Sequence, residues 1–478
     1  MNTILLNSSK RTLLASLLLL FVAVSCERSV DGLEEPGFTE NPEVFIDGFS
    51  AGLEYLPFGD SKLDAFSVDN ETTFDGTDAA MRFDVPNVGS PDGSYAGAIF
   101  RDENGGRDLT NYDALTFYAK ATTAGTINDI GFGQDFFGNE YQVTFNNLRL
   151  ATYWQKYVIP IPDASKLTQE QGMFWYAEGP EDGDGYSFWI DELKFESFNG
   201  VAQPRPAIQN GDSVSQVSFI GSTPQVSGLT HTLNFAEEGD ITVAAAPAYF
   251  DFTSSNPSVA TVDETGSVTI LAEGDATITA SLNDTPASGA LVIESQGEFN
   301  SAPKPTEDPS NVISIFSDAY DNVPVDFYNG FYEPFQTTTS NDFTVNGDNV
   351  LGYENFNFVG IEFNQNVPTI DATEMTHLNM DLFFPNEVPT GSALRLVLVD
   401  VGADGSVGGG DDSSVNSVLR TTSNPPMVSG QWVSFDFDIT GLTNQSNLGQ
   451  IVLDADLGTA FRGESFYVDN IYLYNDQN

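Results

Sequence analysis

Runs of consecutive aromatic residues, broken by glycine and proline, hold most of the chemistry in this sequence. The densest is Phe327-Tyr328-Asn329-Gly330-Phe331-Tyr332-Glu333-Pro334-Phe335, followed by Tyr353-Glu354-Asn355-Phe356-Asn357-Phe358. Successive side chains of a strand point to opposite faces, so such neighbours cannot all enter one core. Neutral sugars present C–H ring faces and hydroxyls, and sites for them combine aromatic platforms with Asn, Gln, Asp and Tyr. Tyr328, Phe331, Tyr332, Tyr353 and Phe356 are therefore candidate glycan-binding residues, with core packing as the competing reading for each. In the N-terminal half Phe136-Phe137 and Trp175-Tyr176 obey the same argument, and Tyr55 with Phe58 occupy the corresponding stretch. This adds Tyr55, Phe58, Phe137, Trp175 and Tyr176. Trp154 and Trp432 read instead as core.

Catalytic signals are sparse. His231 and His377 are the only histidines, which leaves no credible histidine triad or zinc cluster. A glycosidase needs two carboxylates across a cleft; among 69 acidic residues any such pair is easily found, so only a motif would count. The formal charge of −52 excludes electrostatically driven nucleic-acid binding and opposes adhesion to anionic lipid. Polyanionic glycans would be repelled unless calcium bridged them. The charge itself reads as a solvated acidic surface or as carboxylates gathered around metal. The acidic stretch Asp400 to Asp412 reads as a solvated loop.

The elements that must position these residues are strands, and they occur twice. Ser187-Phe188-Trp189-Ile190-Asp191-Glu192-Leu193 lines up with Ser465-Phe466-Tyr467-Val468-Asp469-Asn470-Ile471, both alternating as half-buried strands do. The offset of 278 residues also carries Trp154 onto Trp432. Gly97 and Leu115 are spaced as Gly360 and Leu378 are. The chain thus holds one all-β module twice. The first copy spans 42–198 and the second 311–478. Between them, 207–296 is rich in small residues, Val and Thr, while Pro204-Arg205-Pro206 and the Pro-rich segment 297–310 read as stiff joints.

Residues 1–26 read as an export signal, with Lys10 and Arg11 before an apolar run from Leu13 to Val24. Ala23-Val24-Ser25-Cys26 resembles the lipobox of bacterial lipoproteins, in which the cysteine is acylated. The resemblance implies lipidation at Cys26, an outer-membrane anchor and exposure at the cell surface on the tether 27–41. The style of this tether resembles surface lipoproteins of the Bacteroidota.

Both copies resemble the jelly-roll carbohydrate-binding modules of polysaccharide-degrading systems. The second resembles the C-terminal module of laminarin-degrading family 16 glycoside hydrolases, through Val312 to Tyr320, Val325-Asp326-Phe327, Gly430-Gln431-Trp432 and Phe466 to Tyr472. The catalytic strand of that family, with its close-spaced Glu, Asp and Glu, is not found. Phe252-Thr253-Ser254-Ser255-Asn256-Pro257 with Gly266 and Gly274 resembles the bacterial Ig-like domain of group 2, although Phe252 stands where that family usually has Trp.

The expected architecture is all-β, two jelly-roll sandwiches separated by an Ig-like sandwich. The expected function is non-catalytic capture of a neutral polysaccharide such as laminarin, a β-1,3-glucan, for a neighbouring transporter and glycanase. The alternative is a structural or adhesive surface lipoprotein that binds a protein. The module resemblance further implies a structural calcium at Asp191 and Asp469 with Asp47 and Asp318 of the first strands; the competing reading is an aspartate capping a strand end through backbone N–H groups.

Overall fold

Along Ala114–Ala121 the side chains of Leu115, Phe117 and Ala119 enter the core while Thr116, Tyr118 and Lys120 turn to the other face, the period of two expected of a strand. In this computed structural model, which describes residues 38–330, 332, 334–408 and 410–476, that strand lies inside an antiparallel sheet. Its order is Phe66–Asp69, Ala80–Asp84, Ser187–Glu196, Ala114–Ala121, Gln155–Pro160, with Glu43–Phe45 also paired to Ser187–Glu196. The sheet opposite is ordered Leu53–Pro57, Ala96–Asp102, Gly172–Glu178, Gly125–Phe132, Val143–Leu150. Phe83, Phe100, Phe174 and Phe188 fill the space between them. The signal segment, Cys26, residues 27–37 of the tether and Phe331 lie outside the described residues.

The second copy repeats the register as well as the landmarks. Trp189 pairs with Lys120 in the first copy, and Tyr467 pairs with Phe383 in the second; Asp191 pairs with Tyr118, and Asp469 with Asp381. Its two sheets run Thr339–Ser340, Asp348–Glu354, Phe466–Tyr474, His377–Phe383, Trp432–Asp438 and Phe327–Gly330, Phe358–Glu362, Leu448–Asp454, Ala393–Asp400, Ser413–Arg420. Each copy is a jelly-roll sandwich, and a smaller sandwich separates them. In the smaller one Ser213–Ile220 runs parallel to Ala290–Glu298, which pairs in turn with Gly274–Leu282.

The segments read as joints are built into the fold. Pro204-Arg205-Pro206 lies in strand Ala202–Ala207, which pairs with Thr230–Phe235 at one end of its sheet, a position where proline's missing N–H costs no ladder bond. The same sheet continues into the first copy, because Ala244 and Ala245 pair with Thr144 and Val143. Tyr249 is wholly buried at this seam and donates its hydroxyl to Tyr141 O at 3.0 Å. On the far side Phe219 and Phe299 pack with Phe343, Phe383 and Tyr467 of the second copy.

The two recurring tryptophans are therefore not core residues. Trp432, opposite Phe383 on the outer face, rests edge-on against Phe299 at 5.9 Å and donates from Nε1 to Asn300 O at 2.6 Å. Trp154, half-buried on the matching face of the first copy, meets Phe74 at 5.9 Å and the Lys120 ammonium at 6.0 Å. Trp432 precedes the inward-facing Val433 by one residue, and a shift of one residue changes the face; Trp154 stands before its strand, which begins at the exposed Gln155.

Candidate glycan-binding faces and a cation site

In the first copy, strand Gly172–Glu178 decides between adjacent aromatics. Tyr176 pairs with Ala98 and Ile130, faces inward and is wholly buried against Phe83 and Phe188, so it belongs to the core and not to a binding face. Trp175 turns outward, opposite Ile99 and Gly131. Its indole lies over Gly131, where an added Cβ would stand 3.0 Å from Nε1, and Nε1 donates to Val143 O at 3.2 Å. Neighbouring groups cover it to 5 % exposure, so Trp175 floors the face without being its platform.

The next row outward is Gly97, Ala177, Asp129 and Asn146, with Asn146 Nδ2 donating to Asp129 Oδ1 at 2.6 Å. A Cβ on Gly97 would stand 2.6 Å from Tyr95 Cε2 and 2.9 Å from Phe58 Cδ2. Phe58 meets Phe136 edge-on at 5.7 Å, and Phe137, 73 % exposed, lies under the Arg101 guanidinium at 4.5 Å. Phe58 and Phe137 thus share one outward aromatic rim. Tyr55 does not join it; it faces inward to Phe66 and Phe100 at 5.2 and 5.3 Å.

The second copy builds the same face on Gly360. Tyr332 lies across this glycine, 2.9 Å from a would-be Cβ, and is 37 % exposed. Its hydroxyl accepts from Gln450 Nε2 at 2.7 Å, and Phe358 lies 5.8 Å away. Glu362, which takes a hydrogen bond from Gln365 Nε2 at 2.5 Å, and the Arg395–Asp454 ion pair at 2.8 Å flank the ring; burial pushes the Glu362 carboxyl up. The surface offers an aromatic face among amide, carboxylate and guanidinium groups, the donors and acceptors that sugar hydroxyls need.

Two other expectations in this copy, Tyr353 and Phe356, are corrected. Tyr353 and Phe356 are wholly buried, Tyr353 donating to Tyr328 O at 2.7 Å and Phe356 packing on Phe466 at 4.9 Å. Tyr328 is half-buried, its hydroxyl donating to Ile315 O at 2.9 Å and its ring set against Phe316. Tyr95, Phe136, Gln450 and the 76 %-exposed Phe335 were not among the expected site residues. The signal that could have found the first and third was the repeated glycine, since an outward glycine in a strand marks a close approach from above.

The two copies diverge at the paired aspartates. Asp191 is wholly buried; its Oδ2 accepts from Phe74 N at 2.8 Å and Thr77 Oγ1 at 2.7 Å, and its Oδ1 from Glu192 N at 2.8 Å. Asp47 Oδ1 accepts from the backbone N–H groups of Asp78 and Ala79. Asp47 and Asp191 thus hold the loop before Ala80 through its N–H and hydroxyl groups, the arrangement of the capping reading.

In the second copy Asp469 accepts from Asn470 N at 2.6 Å, and Asp318 from Asn349 N and Nδ2. Asp348, which matches Asp78 in strand position, has a buried Oδ2 with no hydrogen-bond partner. Burial pushes the Asp469 carboxyl up to about 7, and Asp348, Asp381 and Asp318 add repulsion. Burial and Asp318 push Asp348 up as well. Among the described residues no Lys or Arg forms an ion pair with Asp318, Asp348 or Asp469. The oxygens of Asp318, Asp348 and Asp469 do not all converge to within 4.8 Å, as those of the exposed Asp404, Asp411 and Asp412 do, so a hard divalent cation such as calcium would have to draw these mutually repelling carboxylates together.

Residues 43–197 match the family model described as Carbohydrate binding domain 30, and residues 230–291 match that of the Bacterial Ig-like domain (group 2). The first copy is similar to carbohydrate-binding modules. Among solved structures, a family 30 carbohydrate-binding module of a cellulosomal cellulase of Clostridium thermocellum is 21% identical over 34% of this chain and 96% of its own, with a TM-score of 0.22. The N-terminal tandem of family 22 modules from a Paenibacillus barcinonensis protein is 10% identical, covering 93% of this chain and 99% of its own, with a TM-score of 0.23. A family 11 module from Clostridium thermocellum, in complex with a β-1,3-1,4-mixed-linked tetrasaccharide, is 14% identical over 31% of this chain and 86% of its own, with a TM-score of 0.21. No curated protein matches the chain.

Proposed function

We propose that this protein is a non-catalytic, lipid-anchored surface protein that captures a neutral β-glucan of the laminarin type at the outer membrane and passes it to a neighbouring transporter and glycanase. The observation that carries the reading is the repeated outward glycine: Gly97 lies beneath Phe58 and Tyr95, and Gly360 beneath Tyr332, on the matching sheet face of each copy. Flat backbone under an aromatic ring makes a shelf on which a pyranose can stack, with Asn146 and Asp129, or Gln450 and Glu362, placed to meet its hydroxyls. Two modest faces on one chain retain a long polymer by effective concentration. Acylation at Cys26 supplies the anchor. Calcium at Asp318, Asp348 and Asp469 would stiffen the second copy.

Calorimetric titration of the chain from Glu27 onward with laminarin, mixed-linkage β-1,3-1,4-glucan and alginate tests the proposal. Heat with laminarin and none with alginate is expected. Silence with both neutral glucans would overturn it in favour of an adhesive or structural role, and release of reducing ends would overturn the non-catalytic part.

A further inference from the structure

A groove of about 490 Å³ opens where the Ig-like sandwich meets the second copy, away from both aromatic faces. Its size and its position between two domains are those of small-molecule sites, which run from roughly 300 to 1,000 Å³. From the Ig-like side it is lined by Gln216, Ser218 and Gln225, and from the second copy by Phe316, Tyr328 and Asp342. Ser218 is 1 % exposed, and its Oγ has no hydrogen-bond partner. A buried hydroxyl without a partner is destabilising, so a group that meets it is expected. Asp342 accepts one backbone N–H, from Gly352 at 2.9 Å, and burial pushes its carboxyl up.

No lysine or arginine lines the groove, so nothing there neutralises a phosphate, sulfate or carboxylate ligand. Two aromatic rings set edge to face at 5.3 Å give an apolar wall, while three primary amides, the hydroxyls of two serines and two threonines, and a carboxyl line the other sides. This combination recognises an uncharged polyhydroxylated ring. We infer that the groove is a third saccharide subsite, one that takes one or two neutral pyranose units and is complete only when the Ig-like sandwich and the second copy are docked. The inference rests on the reading of the chain as a glycan-binding protein but not on which face holds the polymer. A sugar bound here touches both domains, so it ties their orientation to occupancy.

The test uses the chain from Glu27 onward carrying Phe58→Ala, Phe137→Ala and Tyr332→Ala, titrated by saturation-transfer NMR and calorimetry with β-1,3-linked glucotriose, cellotriose, maltotriose and xylotriose. One of these sugars is expected to bind in this background. Thr223→Trp at the exposed rim should weaken that binding at least tenfold by filling the mouth. Ser218→Ala should weaken it about threefold or more while leaving the melting temperature equal or higher, since it removes an unpaired buried hydroxyl; a merely structural serine would not separate the two readouts. Binding untouched by both substitutions, or no binding of any of the four sugars, would overturn the inference. Laminarin binding lost in the triple variant, with trisaccharide binding kept, would support both the groove and the aromatic faces; laminarin binding lost only with Thr223→Trp would support the groove and overturn the aromatic faces.

Discussion

The ring of Tyr332 lies across Gly360 so closely that a methyl group there would stand 2.9 Å from Cε2. Gly360 does not have a positive φ, so its backbone accepts alanine and the cost falls on the ring. Gly360→Ala is expected to leave the fold intact, displace Tyr332 and weaken binding of β-glucan to the second copy about as much as Tyr332→Ala. Loss of one aromatic stacking contact of about 1 kcal/mol corresponds to roughly fivefold in affinity. Titrations of the two variants beside the parent check this, and full affinity in both would remove Tyr332 from the site.

The carboxylates of the second copy predict a link between calcium and pH. Asp469 has a folded pKa of about 7, raised from an ordinary carboxylate value, so without metal its contribution to stability is fully present below about pH 4 and is lost as pH rises toward 7. Bound calcium reverses the repulsion. The calcium-induced rise in melting temperature should therefore be largest at pH 7–8 and fade toward pH 4. Asp348→Asn should stabilise the metal-free protein and abolish the calcium response, as thermal unfolding in calcium and in chelator would reveal.

His231 predicts the opposite slope. It is 1 % exposed, neither ring nitrogen has a hydrogen-bond partner, and burial pushes its pKa down to about 4. Its neutral form is favoured by folding, so this contribution is intact above about pH 6.5 and is lost as pH falls toward 4, by about 1.4 kcal/mol per pH unit across that window. His231→Phe should flatten this part of the pH–stability curve. An unchanged curve would show that the imidazole is satisfied in solution.

Arg107 and Asp102 form an ion pair at 2.7 Å with both side chains 1 % exposed. Arg107 also donates to Asn41 O and Glu43 O and to Ser50 Oγ, and so clasps the start of the module to strand Ala96–Asp102. Arg107→Met leaves a buried carboxylate uncompensated. It should cost roughly 3–5 kcal/mol, read as an early unfolding transition of the first copy; Asp102→Asn with Arg107→Met should recover part of it.

The all-β class and the duplication were legible in the sequence because strand alternation and recurring landmarks are local signals. Gly97 and Gly360, noticed only as spacing, turned out to be the floor beneath the rings. Adjacency in sequence showed that Trp175 and Tyr176 must face opposite ways, but the pairing of Tyr176 with core residues Ala98 and Ile130 decided which one points inward. Tyr353 and Phe356 had the right chemistry for a platform and were placed in the core by the same rule. Asp318 lies in the turn after strand Val312–Phe316, and Asp348 and Asp469 lie on two paired strands, so they come near one another only when the sheet forms and no spacing along the chain could have revealed the unpartnered oxygen of Asp348. Proline content suggested joints, whereas the structure draws Pro204 and Pro206 into an edge strand and seats Phe299 on the second copy. Composition and periodicity depend on neighbours a few residues apart; facing, burial and the groove at Ser218 depend on pairings between distant residues, which only the folded chain determines.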